Sequence, residues 1–242
     1  MPIYQVRKEI IPWTDPRLRR FIRHDSRSLD FQHPRALNPI RAVDWSTNRK
    51  LPILEQLVGC CTADATFGIL GTEPFYSAVG LLVLSRYGSF DQAGANKFYS
   101  DEETFDGDGT YPPDDCGSCG LTAAQVARSA GLITGWTQTY DLPSTLSALM
   151  EQPFITGTTW YESMMNPDGN GLLTVDPSSG VAGGHEWILY GFDPATNLLK
   201  IGNSWGDWGL GGYAYMRATD YAALLAAAGD TTIFNLPGQV SA

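Results

Sequence analysis

Apolar positions along this chain follow two rhythms in turn. Between residues 60 and 150 they recur at helical spacing. Beyond residue 152 they fall into short runs rich in β-branched and aromatic residues. Ala63, Phe67 and Leu70 predict a helix beginning near Cys61 and ended by Gly71 and Pro74. A second helix is predicted from about Phe75 to Tyr87, a third over residues 120–131 and a short one over residues 141–150. Pro143 of the last stands in the first turn, where its missing N–H costs little. The acidic stretch SDEETFDGDGTYPPDD, residues 100–115, reads as a solvated loop. PFITGTTW, HEWILYGF, LLKIGNSW and GGYAYM read as antiparallel strands separated by Gly, Pro, Asn and Asp. Helices first and strands afterwards predict an α+β fold. Residues 1–42, rich in Arg and Pro, read as an extended arm with a turn of helix near Arg17–Arg23. The expected layout is this arm, a mainly helical lobe over residues 43–150 and a mainly β lobe over 151–242, with a cleft between the lobes.

Size and charge narrow the function. A 26.4 kDa chain that is 43% hydrophobic can bury a core for one domain or two small lobes. No apolar run has the ~18 residues of a membrane span, and MPIYQVRKEIIPW lacks a signal-peptide core. A cytoplasmic, reducing setting with no membrane partner is expected, and four cysteines do not make a disulfide scaffold. Residues 1–50 carry eleven of the sixteen Lys and Arg and five acids, a net of +6, while the remainder nets −16. The arm has no nucleic-acid-binding motif, so it is expected to lie along the acidic body of its own chain. Charge alone would hold it weakly, so Trp13, Phe21 and Phe31 are expected to dock it. Asp106 and Asp108 suggest a calcium loop, but no Glu closes the pattern at its twelfth position.

Three residues suggest chemistry. Cys61 stands at a predicted helix N-terminus, whose dipole favours the nucleophilic thiolate. His185 follows two glycines that would admit a close backbone, and it could serve Cys61 as base and acid. Asn203 could accept the other imidazole N–H, with Trp205 shielding that bond from water. His24 and His33 lie in the arm without such context.

In this order, LPILEQLVGCCTADAT, DDCGSCGLTAAQVARSAGLI, QPFITG, GGHEWILYGFD and IGNSWGDWGLGGYAYM resemble the nucleophile, central-loop, β-lobe, histidine and asparagine segments of papain-like cysteine proteases. The resemblance runs from about Val43 to Met216. It implies a two-lobed fold and a peptidase that cleaves peptides or proteins through Cys61, His185 and Asn203 by way of an acyl-enzyme, with no metal or organic cofactor. The family places a Gln six residues before its nucleophile as an oxyanion donor. Here Glu55 is six before Cys61 and Gln56 five before. A one-residue deletion returns the role to Gln56. Thr62 replaces the family's Trp, and Glu186 stands where the family often has a small apolar residue. The family also pairs a cysteine matching Cys119 with one near Val58, a partner this chain lacks. Free thiols, a Cys116–Cys119 or Cys60–Cys119 disulfide, a four-cysteine zinc site and a redox CxxC pair at a helix start all fit the residues.

The arm is shorter than the family's inhibitory propeptide, so it is expected to stabilise rather than inhibit. The motif variants give the impression of a short bacterial or phage-type relative. Two other readings share the residues: a cell-wall amidase or endopeptidase with the same triad, and a non-catalytic binding or virion-associated protein keeping the fold. Substrate preference and oligomeric state are not legible in the sequence.

Overall fold

The computed structural model describes residues 6–25, 32–33 and 39–238. In chain order it contains β1 (Val6–Glu9), β2 (Ile22–Asp25), β3 (Val43–Asp44), α1 (Cys61–Leu70), α2 (Phe75–Tyr87), α3 (Gln92–Asp106), α4 (Gly120–Ser129) and β4 (Gly135–Thr139). There follow α5 (Leu142–Leu149), β5 (Phe154–Tyr161), β6 (Val181–Asp193), β7 (Leu198–Gly202), α6 (Trp208–Gly211), β8 (Tyr213–Arg217), α7 (Ala218–Ala226) and β9 (Asp230–Asn235). β1 and β2 form a small ribbon. The other strands form one antiparallel sheet ordered β4-β9-β5-β6-β7-β8, with β3 also paired to β6. The architecture is α+β, as the two rhythms imply.

Helix α1 joins the two halves. All ten of its residues are buried. Its sequence, CTADATFGIL, has no long charged side chain, as a helix enclosed on every side requires. Phe67 meets Tyr87, Phe90 and Phe98 edge-on at ring-centroid distances of 5.6, 5.9 and 5.9 Å. Gly68 lets the helix approach the sheet, because a Cβ there would collide with Ile188 of β6.

Three expectations need correction. Residues 100–106 are not loop but the last turns of α3. Asp91 caps that helix by accepting from the backbone N–H groups of Ala93 and Gly94, and Gly107 ends it in the left-handed region, φ 75°. Its inner face buries Glu102 and Glu103, so its acidity misled the reading. Asp106 pairs with Arg23 and Thr122, and Asp108 with Lys8. Residues 17–23 form no helix: a single turn closed by the Leu18 N–H to Asp15 O hydrogen bond at 3.0 Å leads toward β2, because the arm pairs with other segments. Trp13 is 45% exposed, whereas Leu18, Phe21 and Ile22 are buried. Phe31 lies outside the described residues. All four cysteines are free, and among the described residues no three His, Cys, Asp or Glu converge as a metal site. Among those residues no helix is long and apolar enough to cross a membrane.

Candidate functional site

β6 carries His185 opposite Thr158 of β5, and the chain beyond β7 brings Asn203 beneath it. His185 Nε2 lies 2.8 Å from Asn203 Oδ1. The same oxygen accepts the Ser204 backbone N–H at 2.7 Å, which fixes the amide's orientation. Oδ1 is therefore an acceptor, Nε2 carries the proton, and Nδ1 of the neutral ring holds the free lone pair. Among the described residues Nδ1 has no hydrogen-bond partner. Trp160 and Trp205 wall the ring at 5.0 and 4.9 Å. Burial drives the His185 pKa down to about 4, although the Asn203 hydrogen bond works the other way. The imidazole is neutral near pH 7.

Cys61 opens α1 and faces β6. Burial pushes its thiol well above the ordinary range and outweighs the nearby Glu186 backbone N–H, which favours the thiolate. In this state the helix terminus does not leave a thiolate, contrary to the sequence expectation. Among the described residues no hydrogen bond joins Cys61 to His185. Cys60, one residue earlier, turns into the helical side: its Sγ donates to Asp64 Oδ2 at 3.3 Å. Thr62, the departure beside Cys61, donates to Glu102 Oε2 at 2.6 Å.

Gln56 and Glu55 part company. Glu55 is exposed, its backbone N–H bonded to Gln92. Gln56 is buried. Ser204 Oγ donates to Gln56 Oε1 at 2.5 Å, so Nε2 is turned the other way. Nε2 donates to the backbone oxygens of Val58 at 2.9 Å and Arg17 at 3.1 Å. Ser204 thus orients both Asn203 and Gln56, a role that only the NSW string hinted at.

The Arg17 carbonyl belongs to the arm, which runs through the cleft between α1 and β6. The Thr14 N–H donates to Ala182 O at 2.8 Å, the Arg20 N–H to Gly184 O at 3.1 Å and the Phe21 N–H to Ser118 O at 3.1 Å. Gly59, Gly117, Gly183 and Gly184 line the path, and a Cβ on any of them would collide with Leu18, Arg19 or the Arg20 carbonyl. The Arg17 guanidinium stacks 4.2 Å over Trp205. The arm does lie on the acidic body: Lys8 meets Asp108 at 2.6 Å, Arg19 meets Asp115 at 3.1 Å, and Arg23 pairs with Asp106. Its course covers Cys61 and His185, which the sequence reading did not anticipate. His33 bonds Thr137 of β4 instead.

No family model matches the chain, and no curated protein matches it in sequence. Solved structures do match. Xylellain, a cysteine protease from Xylella fastidiosa, is 17% identical with a TM-score of 0.58, over 96% of this chain and 98% of that one. Digestive procathepsin L 3 from Tenebrio molitor larval midgut is 15% identical with a TM-score of 0.58, over 85% and 73% of the two chains. Bromelain from Ananas comosus, solved with the inhibitor E64, is 16% identical with a TM-score of 0.54, over 83% and 100%. This chain has the papain-like cysteine protease fold.

Proposed function

We propose that this chain is a cysteine peptidase held in a covered form by its own N-terminal arm. One observation carries the reading: the Gln56 side-chain amide already holds a peptide carbonyl, that of Arg17, where the arm turns through the cleft. A group that binds a peptide oxygen there can bind the oxyanion that develops on a substrate carbonyl. In the proposed reaction the arm leaves and His185 Nδ1 takes the Cys61 proton. The thiolate attacks the carbonyl carbon, and Gln56 Nε2–H and the Cys61 backbone N–H hold the oxyanion. The imidazolium, steadied by Asn203 Oδ1, gives its proton to the departing amine. Water, deprotonated by Nδ1, then releases the acid from the thioester.

With the arm in place the pair rests as thiol and neutral imidazole, the state their burial favours. The test uncovers the pair. The full chain, before and after limited proteolysis of the arm, is treated with a peptidyl epoxide and the adduct mapped by mass. The peptidase reading expects one adduct, on Cys61, appearing after arm cleavage and absent from Cys61→Ala and His185→Ala. Equal labelling of His185→Ala, or none on Cys61 once the arm is cut, would sink it. Digestion of peptidoglycan but not of unlinked peptides would favour the cell-wall enzyme.

A further inference from the structure

The arm leaves one side chain in a pocket that the body of the protein builds. Across the sheet, Asp230 of β9 pairs with Gly157 of β5, and Gly157 pairs with Glu186 of β6. Directly paired residues share a face, so the two carboxylates stand on one face with a glycine between them. Strand spacing sets them about 10 Å apart at the backbone. The Arg20 guanidinium lies over Gly157 in that gap: Nη2 is 2.6 Å from Asp230 Oδ2 and Nε 3.4 Å from Glu186 Oε2. A Cβ at residue 157 would collide with the guanidinium. Gly120 opens the other wall, where a Cβ would sit 2.9 Å from Glu186 Oε1 and 2.8 Å from Thr232 Oγ1.

We propose that Glu186 and Asp230, with Gly157 as floor, form a specificity pocket for a basic side chain, and that Arg20 fills it in place of a substrate's arginine. This rests on the peptidase reading. The pocket belongs to the body, not to the arm: all three residues lie on sheet strands, and Glu186 adjoins His185 on the opposite face of β6. Without the arm, the two buried acidic side chains share one recess with no cation beside them. Such a site strongly favours whichever cation can enter. Among the described residues both Glu186 oxygens, Asp230 Oδ1 and Thr232 Oγ1 lack hydrogen-bond partners, as do Arg20 Nε and Nη1, so Arg20 is held by charge and its single Nη2–Asp230 hydrogen bond. The recess therefore has acceptors to spare for a guanidinium's five N–H groups. Glu186 departs from the family's pattern, and this pocket gives that departure a purpose.

The full chain carrying Arg20→Ala, which vacates the pocket, is offered fluorogenic peptides that differ by Arg, its neutral isostere citrulline, or Leu at each position in turn. One position should prefer Arg over citrulline by tenfold or more in kcat/KM. Glu186→Gln or Asp230→Asn in the same background should bring that ratio toward one. Hydrolysis with no position preferring Arg would overturn the pocket while leaving the peptidase reading intact. Binding is read without catalysis: millimolar n-propylguanidinium should raise the melting temperature of Arg20→Ala, while n-propylurea should not, and neither should move the parent. If no peptide is cut, that shift alone decides the pocket, and its absence overturns it. Should Arg20→Ala fail to fold, Arg20→Gln is measured in its place. Recovery of folded Arg20→Ala by n-propylguanidinium alone counts for the pocket, and recovery by the urea as well counts against it.

Discussion

Gln56 shows what a single residue's orientation decides. Neighbouring side chains on an extended segment point to opposite sides, so Glu55 and Gln56 cannot both face the cleft. Ser204 accounts for which one does, since it donates to Gln56 Oε1 and turns Nε2 toward the arm. In enzyme freed of the arm, Gln56→Ala should lower kcat/KM by about 10²–10³, the usual worth of an oxyanion donor. Glu55→Ala should stay near the parent value, and the reverse ranking would move the role to Glu55. Asp64 offers a test of burial. Its pKa is raised to about 7 from an ordinary 3.8, burial being the leading cause. The folded state keeps a proton that the unfolded chain releases between those values. This contribution to stability is fully present below pH 3.8 and is lost as pH rises through 7. Asp64→Asn removes it, so the variant should gain on the parent by up to about 4 kcal/mol between pH 4 and pH 8, at about 1.4 kcal/mol per pH unit. Buried His185 gives a slope of the opposite sign, but equally in both proteins, and cancels from the difference. Denaturant melts at the two pH values measure it. A constant difference would mean that Asp64 is ionised in the fold.

At the scale of elements, legibility tracked punctuation and period. Gly71 and Pro74 separate α1 from α2, Gly88 ends α2, and strands β5 to β8 alternate between turn residues, so the sequence marks them. Helix α3 carries SDEETFD, whose buried Glu102 and Glu103 look solvated until Thr62 and the Cys116 N–H are seen to bond them. Strands β4 and β9 and helix α7 went unmarked, and the partner that settles β9 lies far away in the chain at β4. Local pattern cannot supply a pairing 96 residues away, such as Thr137 with Ile233. Nor could it show that the glycines before His185 receive the chain's own arm. Gly184 makes that contact testable, because a Cβ there would strike the Arg20 carbonyl. Gly184→Ala should loosen the arm and speed alkylation of Cys61 by iodoacetamide, read by site-mapped mass spectrometry because Cys116 is exposed. Peptide hydrolysis should not rise in proportion, since a substrate backbone needs the same space. Alkylation at the parent rate would show that residue 184 does not hold the arm.

Across the whole molecule the arm is both a stabilising and a covering segment, and its removal should separate the two effects. Leu18 and Phe21 are fully buried, each worth roughly 1.5–3 kcal/mol in apolar burial. The more exposed Lys8–Asp108 pair adds about 0–1 kcal/mol. Arg20 is different, for its loss leaves Glu186 and Asp230 facing each other until water enters the cleft. A chain of this size shifts its melting temperature by about 2–4 °C per kcal/mol, so deletion of residues 1–25 should lower it by at least several degrees. The same deletion exposes Cys61, and the burial that raises its thiol pKa is relieved. The helix N-terminus and His185 then act on an accessible sulfur, so the inflection in alkylation rate against pH should move to lower pH. Added back as a free peptide, residues 13–25 should slow alkylation again, but only at high concentration, because the natural arm is tethered and competes from an effective concentration of about a millimolar. A truncated protein that melts like the parent, with its Cys61 inflection unmoved, would show that the arm neither stabilises the body nor covers the site in solution.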